Sequence, residues 1–482
     1  MHRQLAILPV LVPLVAALIQ PILALASPAA AWPIAVAAAA VTTVLATIAL
    51  AAVLTGGTIR YPLGGWEPPW GIEVVLDPLS GFTVMVLAAV ATASLLAGGP
   101  QARAYGAREP IYYALALIVL TGLIGMVVSG DLFNVFVFLE LSSIASYALV
   151  GSGGGRALAA AFRYVILGTM GASFYLLGVG FLYAVTGTLN MADLAARVPD
   201  VSGSSLYLGG VVLIAIGLAL KMGLFPLHWW LPDVYTYAPS PVASLLAPIA
   251  TKAAAYMVAR ILLYVLRPVE AVGLPVGTIL AWAGGLSILF GGILAIRQTD
   301  ARRLLAYSSV GQVGYIGVGL GLANDAALVG AYLHILNHAL LKAALFIAVG
   351  ATALHVGFRT GGLGRGMPVT ATVAVVAGLS AVGVPPAGGF FSKWYLLQGT
   401  LEARQPLLTV VILLGSLLAV AYMYRLTETV WRGQSAVPRV TPEAQPAVLI
   451  SLVVLAFAIV AAGVGNTAIV SHVLTAAVPS AR

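Results

Sequence analysis

The chain has 482 residues, 61% of them hydrophobic and 8% charged, with a mean hydropathy of +1.05. A water-soluble protein needs about a quarter charged residues to cover itself, so this composition is that of an integral membrane protein. With no cysteine and six histidines, disulfides, thiolate metal sites and cysteine-held iron–sulfur clusters are excluded, haem or copper has little to bind, and no cofactor is expected. The net charge of +8 comes from arginines spread over short loops, a pattern of membrane orientation and not the clustered surface of a nucleic-acid-binding protein.

The N-terminus, Met1 to Arg3 followed by an apolar run and "ALASPAA", imitates a secretory signal. The apolar stretch from Leu5 to Leu25 is longer than a signal core, so a retained first helix is expected. Apolar runs of about 20 residues then predict spans at 4–26, 32–54, 78–98, 111–129, 131–150, 158–186, 206–231, 240–266, 273–296, 302–321, 326–354, 369–398, 406–431 and 445–474. The expectation is an all-α, polytopic membrane protein of about 14 helices. No linker is long or polar enough to separate two domains, so residues 1–482 form one transmembrane unit: helices 1–3 in 1–110, a first repeat in 111–266, a second in 273–431, and a last helix in 445–474.

Arginine orients the bundle. With the N-terminus outside, the loops after spans 3, 5, 9, 11 and 13 hold 12 arginines (Arg103, Arg108, Arg156, Arg163, Arg297, Arg302, Arg303, Arg359, Arg365, Arg425, Arg432 and Arg439). The other side holds 7: Arg3, Arg60, Arg197, Arg260, Arg267, Arg404 and Arg482. The positive-inside rule therefore places both termini on the outer side of a cell (inner) membrane. Lysine behaves differently. All four lysines (Lys221, Lys252, Lys342, Lys393) fall inside predicted spans, where each opposes insertion by roughly 2.5–3.5 kcal/mol. Snorkelling to the interface is the alternative for Lys252 or Lys393 taken singly, but arginine would serve as well and is absent there.

Two spans are interrupted. Span 7 contains "LALKMGLFPLHWWLPD", with Pro226 five residues after Lys221, and span 12 contains Pro385, Pro386, Gly388 and Gly389 just before Lys393. A proline within a span frees backbone groups that protein or trapped water must satisfy. Two broken helices five apart in order suggest two five-helix repeats, spans 4–8 and 9–13, the second inverted because five is odd. The competing explanation is that proline and glycine are common in membrane helices anyway.

Burial disfavours the charged form of a lysine and a nearby carboxylate restores it, so a buried lysine can load and release a proton. Glu140 is the only acidic residue well inside a span and is the expected ion-pair partner of Lys221; Asp131 is placed to cap a helix. His334, His338 and Lys342 recur at i, i+4 and i+8, hence on one helix face. That spacing fits a proton relay, satisfied core histidines or, least well, a zinc site, since no carboxylate is near and the lysine repels a cation. His228, beside Trp229 and Trp230, fits either the mouth of a path or an aromatic interface belt. Together Glu140, Lys221, Lys252, His334, His338, Lys342 and Lys393 read as a polar path along the membrane plane for protons; a dehydrated Na⁺ would need several oxygen ligands and meet repelling lysines.

The stretches "KMGLFPLHWWLPDVYTYAPSPVASLLAPIATKAAAYMVAR", "RRLLAYSSVGQVGYIGVG", "HILNHALLKAALFIAVG" and "GVPPAGGFFSKW" resemble the proton-translocating antiporter-like subunits shared by respiratory complex I, membrane-bound hydrogenases and Mrp-type multisubunit Na⁺/H⁺ antiporters. "GGWEPPWGIEVVLDPLSGF" with "GDLFNVFVFLELSSIASYALVG" looks most like the D-type subunit of the Mrp antiporters. The resemblance covers almost the whole chain. It implies fourteen helices with inverted five-helix repeats and broken helices 7 and 12, a coupling pair of Glu140 and Lys221, a connection through Lys252, His334, His338 and Lys342, and terminal proton exchange at Lys393. It also implies partner membrane subunits in a hetero-oligomer. The expected function is proton translocation in a sodium/proton antiporter, without catalytic chemistry of its own. The alternative is an antiporter-like subunit of an NADH-quinone oxidoreductase or membrane-bound hydrogenase, where the chain would count as part of a translocase. A purely structural anchor gives no reason to bury four lysines.

Overall fold

In hydrocarbon a helix satisfies its backbone hydrogen bonds internally, so long apolar runs become helices almost by necessity. The computed structural model describes residues 3–103, 108–356, 366–432 and 443–478. Arg359, Arg365, Arg439 and Arg482, four of the arginines that bear on orientation, lie outside these residues.

The helices are α1 (Leu8–Ala26), α2 (Ala31–Gly56), α3 (Pro78–Ala102), α4 (Glu109–Val128), α5 (Leu132–Gly151), α6 (Gly155–Thr186), α7 (Met191–Val201), α8 (Ser205–Met222) and α9 (Trp230–Tyr237). They continue with α10 (Ser240–Val258), α11 (Pro268–Val272), α12 (Val276–Ile296), α13 (Ala301–Leu322), α14 (Asp325–Val356), α15 (Pro368–Val382), α16 (Gly388–Glu402), α17 (Pro406–Arg432) and α18 (Pro446–Val464). Among the described residues, eleven helices are long and apolar enough to cross a membrane, and the shorter segments Leu8–Leu23 and Pro368–Val382 are also apolar. α14 is the axis, buried along nearly its whole length and packed against α3, α10, α13, α15, α16 and α18.

Helix starts follow the capping chemistry of the sequence. Asp77 and Ser80 form a reciprocal capping box at α3, and the Asp131 carboxylate accepts the Asn134 N–H at the start of α5 at 2.8 Å. Where no large apolar residue intervenes, backbones approach closely. A Cβ on Gly284 of α12 would lie 2.6 Å from the Gly314 carbonyl oxygen of α13, and one on Gly217 of α8 would lie 2.5 Å from the Gly171 oxygen of α6.

Three features differ from the sequence reading. The segment between α2 and α3 is not all loop: β1 (Ile59–Pro62) pairs antiparallel with β2 (Glu73–Leu76), Arg60 opposite Val75. The break in span 7 is not a proline inside a helix. α8 has already ended at Gly223, whose φ of +75° is the left-handed cap geometry that favours glycine, and Pro226 lies in the turn before α9. Span 12 does the same, with α15 ending at Gly383 (φ +93°) and Pro385 and Pro386 in the turn before α16. Arginine is not confined to the surface. Arg260, counted with the arginines of the outer side, lies in a π-helical continuation of α10 (Ala259–Leu266) and is largely buried against Asp77, while Arg302 is buried at the start of α13, donating to the Ala238 carbonyl and to Ser240 Oγ.

Candidate functional site

The two breaks are built alike. Gly223 N donates to the Ala219 and Leu220 carbonyls and Leu224 N to the Ala219 carbonyl at 3.1 Å; Gly383 N donates to Leu379 and Ser380 and Val384 N to Leu379 at 3.0 Å. In both, glycine is followed three residues on by proline. Such an end leaves the last carbonyls of the helix without intrahelical donors. Around the first break the Leu220 carbonyl accepts the Trp230 indole N–H at 2.8 Å, and Ser287 Oγ accepts the Phe225 N–H at 2.8 Å. Around the second, Lys393 Nζ donates to the Ala381 and Val382 carbonyls at 2.8 and 2.9 Å and to Ser416 Oγ at 3.3 Å.

Lys221 closes the last turn of α8. Its ammonium lies 3.7 Å from Glu140 Oε1 of α5, donates to Ser143 Oγ at 2.8 Å and reaches Tyr147 OH at 3.4 Å. Glu140 Oε1 has no hydrogen bond among the described residues, so the two charges attract without a direct bond locking them. Beside them is a cavity of about 30 Å³, lined by Ser142, Ser143, Ser146, Tyr164 and Lys221 and reaching Ala250 and Ala254 of α10. That is room for about one water molecule with several polar partners.

Lys252 follows on α10, fully buried, donating to the Ala247 carbonyl at 2.7 Å and to Thr251 Oγ1 at 3.2 Å. Pro248 deprives the Ser244 carbonyl of its helical donor, and Ser94 Oγ of α3 supplies one at 2.8 Å. On α14, Lys342 donates to the Leu305 carbonyl and Ser308 Oγ at 2.9 and 2.5 Å. Lys342 stands one turn beyond His338 on α14, and α10, which carries Lys252, packs against α14. His338, fully buried, has no hydrogen bond at either ring nitrogen among the described residues. Buried polar groups nearly always have a partner, so water is the remaining candidate for this ring.

His334 connects onward. Its Nδ1 lies 2.9 Å from Ser392 Oγ and its Nε2 3.1 Å from Gln312 Oε1, while Gln312 Nε2 donates to the Ala381 carbonyl at 3.3 Å. Lys393 shares that carbonyl, so His334, Gln312 and Lys393 form one connected network, with the ammonium 4.6 Å from the centre of the Tyr315 ring. All four ammonium groups thus end on interior partners. His228 is buried beside Phe225 and Trp229, with no protein hydrogen bond at Nδ1, and is not joined to this network by any hydrogen bond among the described residues.

Sequence reasoning missed the neutral members: Ser143, Ser308, Gln312, Ser392 and Ser416. For Gln312 a signal existed, an amide at the middle of a predicted span, where an unpaired polar group is expensive.

Residues 129–419 match the family model described as NADH:quinone oxidoreductase/Mrp antiporter, TM. The chain belongs to this family. It is 45% identical over 451 residues to an NADH-quinone oxidoreductase subunit N of Desulforudis audaxviator, covering 90% of each chain. It is 32% identical to the D-type subunit of a Na⁺/H⁺ antiporter from Alkalihalophilus pseudofirmus, covering 78% of this chain and 76% of that one. A chain of an archaeal membrane-bound sulfane sulfur reductase superimposes with a TM-score of 0.91 at 32% identity, covering 98% and 97%. The family's antiporter-like, multi-pass membrane proteins thus include subunits of both antiporter and respiratory assemblies, and this chain is similar to both kinds.

Proposed function

We propose that this chain is the proton-translocating subunit of a hetero-oligomeric membrane complex. Protons pass along the bundle through Glu140, Lys221, Lys252, His338, Lys342, His334 and Lys393. The observation that carries the reading is the burial of four ammonium groups and two imidazoles in one bundle with a single carboxylate, Glu140, against them among the described residues. A buried charge with only neutral partners is costly, and a group that sheds and regains its proton explains why that cost is met at Lys252, Lys342 and Lys393, while Lys221 faces Glu140. Moving Glu140 away from Lys221 removes the charge that holds the ammonium. Its proton then passes by way of water in the Ser142–Ser146 cavity toward Lys252 and α14, and onward through His334 and Gln312 to Lys393.

The matching Gly-x-x-Pro breaks support two five-helix repeats within a bundle of about fourteen spans. So do two pairs of equal length: α6 and α14 at 32 residues each, and Ser240–Leu266 and α17 at 27 each. The second repeat would run inverted, with both termini on the outer side of the cell membrane. Two hosts fit. A sodium/proton antiporter accords with the relative from Alkalihalophilus pseudofirmus, and a redox-driven complex is favoured by the 45% identity to the oxidoreductase subunit of Desulforudis audaxviator. Purification of the intact complex decides between them: small antiporter subunits beside this chain support the first, iron–sulfur or nickel subunits the second.

The transport reading is tested in the purified complex reconstituted into vesicles. Lys221→Ala lowers proton transport at least tenfold with assembly unchanged; transport at the parent rate would overturn the role of that lysine.

A further inference from the structure

A second polar region lies apart from the path just described, on the side of the bundle that bears the β1–β2 hairpin. Lys252, Tyr256, Arg260 and Tyr264 recur every four residues along α10 and its π-helical continuation. Side chains spaced so share one face, about one turn apart. The stripe therefore runs from the fully buried Lys252 to a cavity of about 210 Å³, whose wall includes Arg60, Glu73, Asp77, Tyr256 and Arg260. That volume holds several waters at about 30 Å³ each, and Arg60, half-exposed, brings it to the surface.

The inner end of this cavity is held in place by charge-assisted bonds. Arg260 Nη2 donates to Asp77 Oδ2 at 2.5 Å and Arg260 Nε donates to Tyr256 OH at 2.9 Å. The guanidinium sits 5.3 and 5.2 Å from the centres of the Tyr256 and Tyr264 rings. Asp77 is itself fixed as the N-cap of α3. Arg260 thus occupies one lone pair of the Tyr256 oxygen and leaves its O–H proton and the other lone pair available. Lys252, one turn further in, has no carboxylate among its hydrogen-bond or ion-pair partners within the described residues.

We propose that this cavity is an aqueous port through which Lys252 exchanges protons with the hairpin face, with the Tyr256 hydroxyl as the last group on the way in. A hydronium in the cavity gives its extra proton to the Tyr256 oxygen, leaving water, as the O–H proton moves on to the Lys252 amine. The tyrosine ends neutral, the amine becomes ammonium, and the reverse sequence releases the proton. Arg260 is a positioning residue that aims the hydroxyl. The port rests on the proton-relay reading and adds a place where the middle of the path, not only its ends, meets water.

The absence of cysteine from the chain makes the test direct. Ala195 lines the cavity from α7, and Ala195→Cys in the reconstituted complex offers a thiol there. A charged, membrane-impermeant thiol reagent added on the hairpin face is expected to modify it and to slow proton transport at least fivefold, with the identically treated parent complex as baseline. Tyr256→Phe, which keeps the ring and removes the hydroxyl, is expected to slow transport by a similar factor without labelling. A thiol that does not react from that face, or labelling and Tyr256→Phe that both leave transport at the parent rate while Lys252→Ala abolishes it, overturns the port and leaves the relay standing. Normal transport in Lys252→Ala overturns the relay, and the port with it.

Discussion

The two broken helices share a backbone and differ in where the lysine stands. At the first break Lys221 precedes the glycine, the Leu220 carbonyl at the helix end accepts from the Gly223 N–H and the Trp230 indole, and the ammonium turns outward to Glu140, 3.7 Å away. At the second break Lys393 follows the turn and itself satisfies the freed carbonyls of Ala381 and Val382. One ammonium is balanced by a full charge on a separate helix, the other by dipoles fixed in the backbone. The first balance can be altered by a small displacement of α5 against α8. The second persists as long as α15 ends where it does. Two breaks with the same backbone turn therefore carry electrostatically different lysines, one facing a full charge and one facing fixed dipoles.

The largest expected effect tests that contrast. Glu140→Gln keeps the shape and removes the charge that faces Lys221, and proton transport by the reconstituted complex is expected to fall at least tenfold. Ser416→Ala removes a side chain that accepts a hydrogen bond from Lys393 but leaves both carbonyls, and transport should change less than twofold. Equal losses in the two variants would show that the lysines are balanced in the same way. The next effect concerns the shared backbone. Alanine at Gly223 or Gly383 must adopt a left-handed conformation at a cost of about 1–2 kcal/mol, read as a lowered unfolding midpoint of the complex in detergent. The added Cβ meets the Leu231 Cδ1 at 2.7 Å in the first case and the Lys393 Cδ at 3.1 Å in the second. Gly383→Ala should therefore also slow transport, and Gly223→Ala should not.

How much of this was legible in the sequence depended on how costly each residue is in hydrocarbon. Four lysines in apolar runs, against nineteen arginines largely at the ends of runs, mark the interior by position alone, and Glu140 stands out as the one mid-span carboxylate. Serines carry no such mark, because a hydroxyl can bond back to its own helix, as Ser142, Ser143 and Ser146 all do. Arg260 was counted with the arginines of one membrane side although it falls within the predicted span 240–266, and nothing in the composition announces that the helix there takes π form or that Asp77 meets the guanidinium. The four-residue recurrence from Lys252 to Tyr264 was the available signal. The hairpin was missed because strands of four residues show too little alternation to stand out from a glycine- and proline-rich loop.

The smallest expected effect separates scaffolding from transport within the first break. The Phe225 N–H is met by Ser287 Oγ of α12 at 2.8 Å, whereas at the second break the position before the last proline is Pro385, without an N–H, and the serine that assists is Ser380 of α15, whose Oγ accepts from the Gly389 N–H at 3.3 Å. Ser287→Ala should cost about 1 kcal/mol, the net worth of one such bond, and Ser380→Ala less, because the longer bond is weaker. Neither serine contacts a lysine of the path by a hydrogen bond among the described residues, so both variants should transport protons at the parent rate while their unfolding midpoints separate. If Ser287→Ala slowed transport as much as Gly383→Ala, the turn itself would have to move during each cycle. The contrast would then be between two moving breaks and no longer between a mobile pair and a fixed cradle.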